Sequence, residues 1–254
     1  MLLNFYDMEN TSKINKDELL PVISVITVCF NAVLDIEATF NSVINCKYPN
    51  IEYIVIDGGS NDGTVELIKK YKDNISFWVS EPDEGIYAAM NKGLDKATGD
   101  WVININAGDR LLSIPNLDLV KAANDQALCG KIISENDIIA IPKFNKKIRL
   151  LNTLPHQALF YNLRLNNMRY ETKYKIVADF AYNLDMYLSG NKIAISDHIV
   201  AFHSLEGLSN TNASAYESFN VIKNKLGYLS YLRSYYYRKT LAFKYYFNKI
   251  LFND

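Results

Sequence analysis

The sequence has few cysteines and no long apolar run. Its 254 residues include three cysteines, Cys29, Cys46 and Cys129, without CxxC spacing or a neighbouring histidine pair, which argues against a zinc site. No stretch approaches the roughly 20 apolar residues that a membrane-spanning helix needs, and the first twenty residues are acidic where a secretory signal has a basic start. We therefore expect a cytoplasmic protein with reduced thiols.

Glycine-rich phosphate loops are also absent. Gly58, Gly59 and Gly63 do not form GxGxxG, and no Gly-Lys-Ser/Thr ends a Walker loop. These absences argue against a dinucleotide enzyme and against a P-loop NTPase. With 49% hydrophobic residues and no internal repeat, the chain is expected to form a globular core.

Charge is distributed unevenly along the chain. The formal net charge is -1, but residues 221–254 contain seven basic residues and one acidic residue, together with many aromatic side chains. A basic, aromatic surface favours contact with an anionic membrane leaflet. The same side chains would also suit packing on the rest of the protein or a homodimer contact. A nucleic-acid partner is not expected, because the remainder of the chain is net acidic.

The apolar pattern predicts an α/β fold. Four segments are typical of buried parallel strands: 22–28, 51–56, 75–79 and 101–105. Helical patterns lie between them, at 36–44, 64–71 and 86–96. Further short strands are predicted at 127–129, 138–141, 148–150 and 192–195, and helices at 179–188 and from 216 onwards. The βαβαβαβ order favours a Rossmann-like, mostly parallel sheet flanked by helices, with a helical C-terminal tail.

Three of the predicted strands end in polar turns that carry a carboxylate. Asp57 follows the second strand, Asp83 the third and Asp109 the fourth, where Asn106 is a nearby amide. Because the carboxyl ends of parallel strands share one edge of a sheet, we expect these side chains to converge around a ligand. Such oxygens bind a base, a ribose or a hard cation, so the pattern predicts a nucleotide pocket.

Four ordered motifs resemble family 2 glycosyltransferases of the GT-A fold: ISVITVCFNA, IEYIVIDGGSNDGTVELI, SEPDEGIYAAMNKGLDKATGDWV and NAGD. The resemblance is strong over residues 22–112 and weaker to about 209. The enzymes it resembles are bacterial and assemble surface polysaccharide such as O-antigen or capsule. It implies an inverting transfer of a hexosyl unit from a nucleotide sugar, expected to be a UDP-sugar, to a glycan acceptor, expected to be undecaprenyl-linked.

The resemblance assigns several residues to the donor nucleotide. It places Thr27 and Asp57 against the uracil and ribose, with Asp83 on the other side of the nucleoside. Asn91 and Lys92 correspond to a helix that faces the donor, where Lys92 would also reach a phosphate. Asp57 has the alternative role of a turn former, and Lys92 that of a solvated lysine.

The family's metal motif, Asp-x-Asp, is altered in this chain. Asn106 and Gly108 occupy the two aspartate positions, and Asp109 is the local carboxylate. We expect Asn106, at the donor nucleotide, and Asp109 to hold Mn²⁺ or Mg²⁺ against the diphosphate, with His203 as a further metal ligand. The alternative is that residues 107–109 form an ordinary turn after the strand.

An inverting transfer needs a base that removes the proton of the acceptor hydroxyl. The resemblance places this base at Asp179, with Ala178 where many relatives have a second acid. A helix N-terminus favours an ionised carboxylate, although an aspartate there also serves as an N-cap. His156 lies where the family's acceptor loop begins, and His203 precedes a loop at 206–209. Each histidine also has a purely structural alternative.

The predicted organisation has three parts: an arm at 1–20, a catalytic domain at 21–215 and a basic aromatic tail at 216–254. The domain would divide into a nucleotide-binding half at 21–112 and an acceptor half at 113–215. We expect a cytoplasmic enzyme that attaches to the inner face of the cell membrane through the tail.

Two other functions stay open at this point. A sugar-1-phosphate nucleotidyltransferase uses a related sheet, but it needs a glycine-rich basic loop where this chain has Cys29-Phe30-Asn31-Ala32. A non-catalytic nucleotide-sugar binder would suit Asn106 and the single carboxylate at Asp179.

Overall fold

A computed structural model describes residues 20–204 and 211–252 of the protein. The arm predicted at 1–20, apart from Leu20, and the loop at 206–209 lie outside the described residues. Within the described part, no helix is both long enough and apolar enough to cross a bilayer.

The described strands form one mixed sheet. Nine strands belong to it: β1 (Ile23–Cys29), β2 (Ile51–Asp57), β3 (Phe77–Ser80), β4 (Trp101–Asn104), β5 (Arg110–Leu111), β6 (Ala127–Ser134), β7 (Ile139–Ala140), β8 (Leu159–Asn162) and β9 (Ile193–His203). Their order is β3-β2-β1-β4-β8-β6-β9-β5, and β7 pairs with β6. The first four strands run parallel to one another, as predicted, whereas β8 is antiparallel to both β4 and β6.

Helices cover both faces of the sheet. Seven are described: α1 (Ile36–Ile44), α2 (Thr64–Lys70), α3 (Ile86–Leu94), α4 (Asn116–Lys121), α5 (Ala178–Leu188), α6 (Asn212–Leu226) and α7 (Tyr228–Phe252). One apolar cluster contains side chains of α3, α5 and α6, and the other contains side chains of α1, α2 and α4. The site lies between these helices, at the edge where the parallel strands end.

The first strand explains why the sheet centre forms where it does. All seven residues of β1 are buried, and β-branched side chains dominate it. Ile26 and Val28 pack in the cluster with α3, whereas Ile23 and Val25 pack in the cluster with α1. A strand that is apolar on both faces is stable only between two helical layers, which places the end of β1 at the centre of the site.

The prediction of a strand at 148–150 is wrong, because Lys146–Arg149 forms a 3₁₀ turn. The side chain of Asn145 accepts the backbone N–H of Lys147 at 2.9 Å, and this local bond favours a turn over an extended strand. Ile148 is buried in the cluster that contains α5. The apolar run therefore reflects packing of a turn onto the core.

The second half of the sheet is longer than the sequence pattern predicts. The strands predicted at 127–129 and 192–195 extend to Ser134 and His203, because β6 and β9 pair with each other in parallel. This pairing carries His203 to the same end of the sheet as the turn after β4.

α6 crosses the boundary predicted between catalytic domain and tail at residue 215. It begins at Asn212 and buries Val221 and Ile222 in the cluster with α3 and α5. α7 packs through Ser234, whose Oγ donates to the carbonyl of Leu150 at 2.5 Å. From 239 to 244 every residue of α7 is exposed.

Candidate active site

A cleft of about 780 Å³ opens at the carboxyl ends of the parallel strands. The loops after β1 and β3, the turn after β4 and the start of α5 form its walls. Six predicted site residues line it: Asp83, Asn106, Asp109, His156, Asp179 and His203. Ligands of open α/β sheets bind at this edge, so the structure brings these residues together where the sequence placed them.

Asp109 and His203 meet on one wall of the cleft. Oδ1 of Asp109 accepts hydrogen bonds from Nδ1 of His203 at 2.9 Å and from the backbone N–H of Ser204 at 3.1 Å. The side-chain amide of Gln157 contacts the same His203 nitrogen at 2.6 Å. A hydrogen bond to the carboxylate requires the proton on Nδ1, and Gln157 must then present its amide oxygen, not its NH₂ group, to this nitrogen. In that tautomer Nε2 of His203 carries a lone pair.

Asn106 lies beside His156 and has an unsatisfied oxygen. Its Nδ2 is 3.1 Å from Nε2 of His156. Its Oδ1 is buried and has no hydrogen-bond partner among the described residues. Because a buried carbonyl oxygen without a donor costs free energy, this atom is a candidate contact for a ligand donor or a cation.

Asp179 is held by two neighbouring side chains in the first turn of α5. The residue is 6% exposed. Its Oδ1 accepts a hydrogen bond from the hydroxyl of Tyr87 at 2.7 Å, and its Oδ2 accepts one from Nδ2 of Asn152 at 3.1 Å. Val177 is the N-cap residue of α5, and no side chain there makes a capping hydrogen bond. The alternative in which Asp179 acts only as a helix cap therefore does not match the geometry.

Phenolic groups surround this carboxylate on its buried side. Burial, and then the charge of Asp179, raise the pKa of Tyr87 and of Tyr170 well above the usual value. Both hydroxyls consequently stay protonated at physiological pH. Tyr87 thus keeps the proton that it donates towards Asp179.

Asp83 lies on the wall formed by the loops after β1 and β3. Its Oδ1 accepts the backbone N–H of Gly85 at 2.8 Å. A Cβ added at Gly58 would lie 2.9 Å from Oδ2 of Asp83 and 3.3 Å from the ring of Phe30, so a larger residue there would displace the Asp83 side chain. The ring of Phe30 is 64% exposed and lines the cleft.

Asp57 does not line the cleft. It is fully buried, and its carboxylate accepts hydrogen bonds from Ser80 Oγ at 2.6 Å and from the N–H and Oγ of Ser60 at 2.9 and 2.5 Å. Burial alone raises its pKa, but the bonds from Ser60 and Ser80 bring the pKa below the usual value. In this structure Asp57 ties the loop after β2 to the end of β3.

The other predicted donor residues do not line the cleft either. Thr27 is buried and donates to the carbonyl of Ile105 at 2.7 Å. Asn91 exchanges hydrogen bonds with the backbone of Tyr170, and Lys92 forms an ion pair with Glu81 at 2.8 Å. None of these three residues lines the cleft, and a direct contact with the donor stays a prediction.

Comparison with known proteins identifies the family. The model of Glycosyl transferase family 2 matches residues 24–187. The chain belongs to glycosyl transferase family 2. It is 25% identical over 205 residues to a PGL/p-HBAD biosynthesis glycosyltransferase of Mycobacterium tuberculosis, covering 75% of this chain and 80% of the relative. An uncharacterized glycosyltransferase of Haemophilus influenzae is 27% identical over 237 residues, covering 82% and 91%.

Solved structures of other glycosyltransferases share the fold. TarS of S. aureus in complex with UDP-GlcNAc has a TM-score of 0.62 at 19% identity, over 79% of this chain and 65% of that chain. This chain spans only 38% of a longer TarS chain. The mannosyltransferase PcManGT from Pyrobaculum calidifontis, in complex with GDP-Man and Mn²⁺, has a TM-score of 0.51 at 18% identity, over 72% of this chain and 57% of that chain.

These comparisons confirm the predicted GT-A fold and confirm that the protein is a glycosyltransferase. Membership of the enzyme family decides against the nucleotidyltransferase and the non-catalytic binder that the sequence left open. The structural likeness establishes the fold alone, so the donor and the acceptor are not identified by it.

The site of this family 2 glycosyltransferase includes residues that sequence analysis missed. Phe30, Tyr87, Asn152 and Lys175 all line the cleft. Phe30 and Tyr87 lie inside the quoted motifs. They were not predicted as site residues, because the prediction relied on carboxylate and amide side chains at strand ends. Asn152 follows the segment mistaken for a strand, so its place beside Asp179 was hidden.

The cleft is acidic and has few candidate metal ligands. Asp35, Asp83, Asp109 and Asp179 line it, whereas Lys175 is the one lysine or arginine among its described lining residues. No group of three or more His, Cys, Asp or Glu side chains in the described residues is arranged to hold a metal ion. A diphosphate entering this cleft needs additional positive charge.

Proposed function

We propose that this enzyme transfers a hexosyl unit, with inversion, from a nucleotide sugar to a glycan acceptor. The observation that carries the proposal is the position of Asp179, which faces the same cleft as Asp83, Asn106 and Asp109 while Tyr87 and Asn152 hold its two oxygens. The base and the donor-binding edge therefore share one cavity, which an inverting displacement requires.

The donor is proposed to be a UDP-sugar. Asp83 and the exposed ring of Phe30 form one end of the cleft, where the ring offers a face for stacking and the carboxylate an acceptor for base or ribose. Buried Asp57 would support this end by holding the loop after β2. TarS, which shares the fold, has been solved with UDP and with UDP-GlcNAc.

A divalent cation, Mn²⁺ or Mg²⁺, is the proposed cofactor. Three groups have the chemistry of ligands for such an ion: the unpaired oxygen of Asn106, the carboxylate of Asp109 and the imidazole of His203. Oxygen ligands suit hard cations, and imidazole suits intermediate ones. Two or three protein ligands suffice where substrate phosphates complete the coordination. When bound, the ion would neutralise charge on the diphosphate as it leaves.

The chemical step follows from the geometry of Asp179. The acceptor hydroxyl gives its proton to a carboxylate oxygen as its own oxygen bonds to the anomeric carbon, and the bond from that carbon to the diphosphate oxygen breaks with its electron pair. Each oxygen of Asp179 uses one lone pair for Tyr87 or Asn152 and keeps another for the hydroxyl. Lys175, on the wall of the cleft, would contact the departing phosphate.

The acceptor is proposed to be a lipid-linked glycan, of the undecaprenyl type used in surface-polysaccharide assembly. His156 and Asn106 border the part of the cleft formed by the second half of the sheet, which would form the acceptor half of the catalytic domain. Such an acceptor requires the enzyme to work at the cytoplasmic face of a membrane.

α7 is the proposed membrane contact. Leu229, Tyr236 and Phe243 recur every seven residues on one side of this helix and are 62%, 66% and 69% exposed. Arg233 and Lys244 are exposed next to this stripe. Apolar side chains flanked by basic groups suit an anionic leaflet, with each basic residue contributing about 1 kcal/mol near the headgroups. A homodimer contact would use the same stripe.

A thermal-shift panel of UDP, GDP and TDP sugars, with Mn²⁺ and then with EDTA, tests the donor proposal. At about 100 times Kd a ligand adds roughly 2.7 kcal/mol of stability, which should raise Tm by about 5 °C or more. We expect UDP-sugars with Mn²⁺ to give the largest rise. Asp83→Asn should reduce it, whereas Asp73→Asn, on an exposed 3₁₀ turn away from the cleft, should not. A larger shift with GDP or TDP sugars would contradict the UDP assignment.

A further inference from the structure

Glu217 reaches from α6 to the backbone that leads into α5. Its carboxylate accepts three successive backbone N–H groups, from Lys175 at 2.7 Å, Ile176 at 2.7 Å and Val177 at 2.9 Å. Charge-assisted bonds of this kind are roughly twice as strong as neutral ones. One half-buried side chain therefore fixes the whole 175–177 turn.

This turn sets the position of Asp179. Val177 is the N-cap of α5 and Asp179 lies two residues later, in the first turn of the helix. The hydroxyl that binds Asp179, that of Tyr87, also lies 2.8 Å from the carbonyl oxygen of Ile176. Glu217 thus holds the N–H side of the turn, while the single hydroxyl proton of Tyr87 is shared between the Ile176 carbonyl and the Asp179 carboxylate.

The same turn carries the cleft's lysine. Nζ of Lys175 donates to the carbonyl of Glu84 at 3.1 Å, in the loop between Asp83 and α3. The backbone N–H of Lys175 is one of the three groups bound to Glu217. A shift of the turn would therefore move Lys175 and Asp179 together.

We propose that Glu217 is a positioning residue for the transfer reaction. Ala178 has no carboxylate, and Glu217 brings one to the start of α5 from another helix, 38 positions later in the sequence than Asp179. It does not touch the reacting atoms; it keeps Asp179 at the distance and angle at which the acceptor hydroxyl can be deprotonated. The inference rests on the proposed role of Asp179 as the base.

A second anchor of α6 provides the matched control. Nζ of Lys225 bonds to Glu171 and to Asp185, each at 2.6 Å, and so fastens the other end of α6 to α5 and to the preceding loop. Lys225 does not line the cleft and has no bond to the 175–177 turn. If Glu217 merely attached α6, loss of either residue would have the same effect on catalysis.

The experiment compares Glu217→Ala, Glu217→Gln and Lys225→Ala with the wild-type enzyme. Donor turnover, the donor KM, nucleotide binding by calorimetry with UDP, and Tm are measured for each. Small displacements of a catalytic group cost up to about 100-fold in rate, so we expect Glu217→Ala to lower kcat by about 10- to 100-fold. The donor KM and UDP affinity, which depend on the displaced turn only through Lys175, should change by about threefold or less. Glu217→Gln, which keeps one acceptor oxygen, should recover part of kcat.

Lys225→Ala should lower Tm as much as Glu217→Ala does but leave kcat within about threefold of the wild type. Equal losses of kcat in Glu217→Ala and Lys225→Ala, or an unchanged kcat in folded Glu217→Ala, would overturn the inference. Failure of the wild-type enzyme to turn over any nucleotide sugar would contradict the proposed function instead, so the two failures are distinguishable. If Glu217→Ala does not fold, the comparison of Glu217→Gln with Lys225→Ala decides.

Discussion

The hydroxyl of Tyr87 lies 2.7 Å from Oδ1 of Asp179, joining a residue of α3 to one of α5 across 92 positions of the sequence. Hydrogen bonds to a charged group contribute about 1.5–3 kcal/mol, and this one also fixes the rotamer of the proposed base. The contact connects α3 to the carboxylate of the proposed base.

Tyr87→Phe should lower kcat by about tenfold without changing the donor KM, because one bond to Asp179 is lost while the ring stays in place. Burial and the nearby charge raise the pKa of Tyr87, so its phenol stays neutral as the pH increases. The ratio of wild-type to variant turnover should therefore be constant from pH 7 to about 10. A ratio that falls over this range would mean that the phenol ionises and would refute the assignment.

Asp57→Asn should lower the free energy of unfolding by about 1–3 kcal/mol at pH 7, since an amide cannot accept the bonds from Ser60 and Ser80 equally well. The folded-state pKa of Asp57 is depressed, so its contribution is present above the unfolded pKa and is lost as the pH falls. Urea unfolding at several pH values should show the difference shrinking below about pH 4.

Asp137→Asn is the control for this measurement, because Asp137 is exposed at a positive φ that asparagine also tolerates. Its stability should match the wild type at neutral pH. A difference between Asp57→Asn and the wild type that is the same at all pH values would exclude the ionised carboxylate as the source of the effect.

Asn106→Asp should tighten Mn²⁺ binding in the presence of UDP by on the order of tenfold, because it adds a charged oxygen beside Asp109. Titration calorimetry or the Mn²⁺ paramagnetic resonance signal measures the affinity directly. Asn31→Asp adds the same charge to the loop after β1 in the same cleft and should have a smaller effect. An equal increase in Mn²⁺ affinity in both variants would indicate a general charge effect and would contradict a metal site at Asn106.

Replacing Tyr236 and Phe243 together by serine should abolish sedimentation with phosphatidylglycerol vesicles, since both side chains belong to the exposed stripe of α7. Wild-type binding should be absent with phosphatidylcholine vesicles and should weaken at high salt. Leu34→Ser, which removes an exposed apolar side chain outside α7, is the control. A serine variant that loses dimerisation and still binds vesicles would assign the stripe to a homodimer contact.

Much of the fold could be predicted from local patterns. The β-branched runs predicted β1, β2 and β4 to within about one residue, because a strand buried on both faces is apolar throughout. β3 begins at Phe77, two residues later than predicted, and Ile75, where the strand was expected to begin, is the C-cap of a 3₁₀ turn at Lys72–Asn74. Local composition does not distinguish an apolar residue of a strand from one that is buried from a turn, and Ile148 is of the second kind.

The site was predictable where residues follow strand ends, because topology alone brings Asp83, Asn106 and Asp109 to one edge. Contacts between segments that are far apart in the sequence could not be predicted. Asn91 pairs with the backbone of Tyr170, 79 positions away, and this pairing turns it from the cleft. The bonds from Glu217 to the 175–177 turn cross about 40 positions, which no motif spacing encodes.

Turnover by Asp179→Asn tests the central claim most directly. Donor hydrolysis or transfer is measured beside UDP affinity, with Asp185→Asn, the same change on the same helix outside the cleft, as the control. We predict that Asp179→Asn loses about 10²- to 10⁴-fold in turnover with UDP affinity unchanged, while Asp185→Asn stays active. Wild-type turnover in Asp179→Asn would contradict the account.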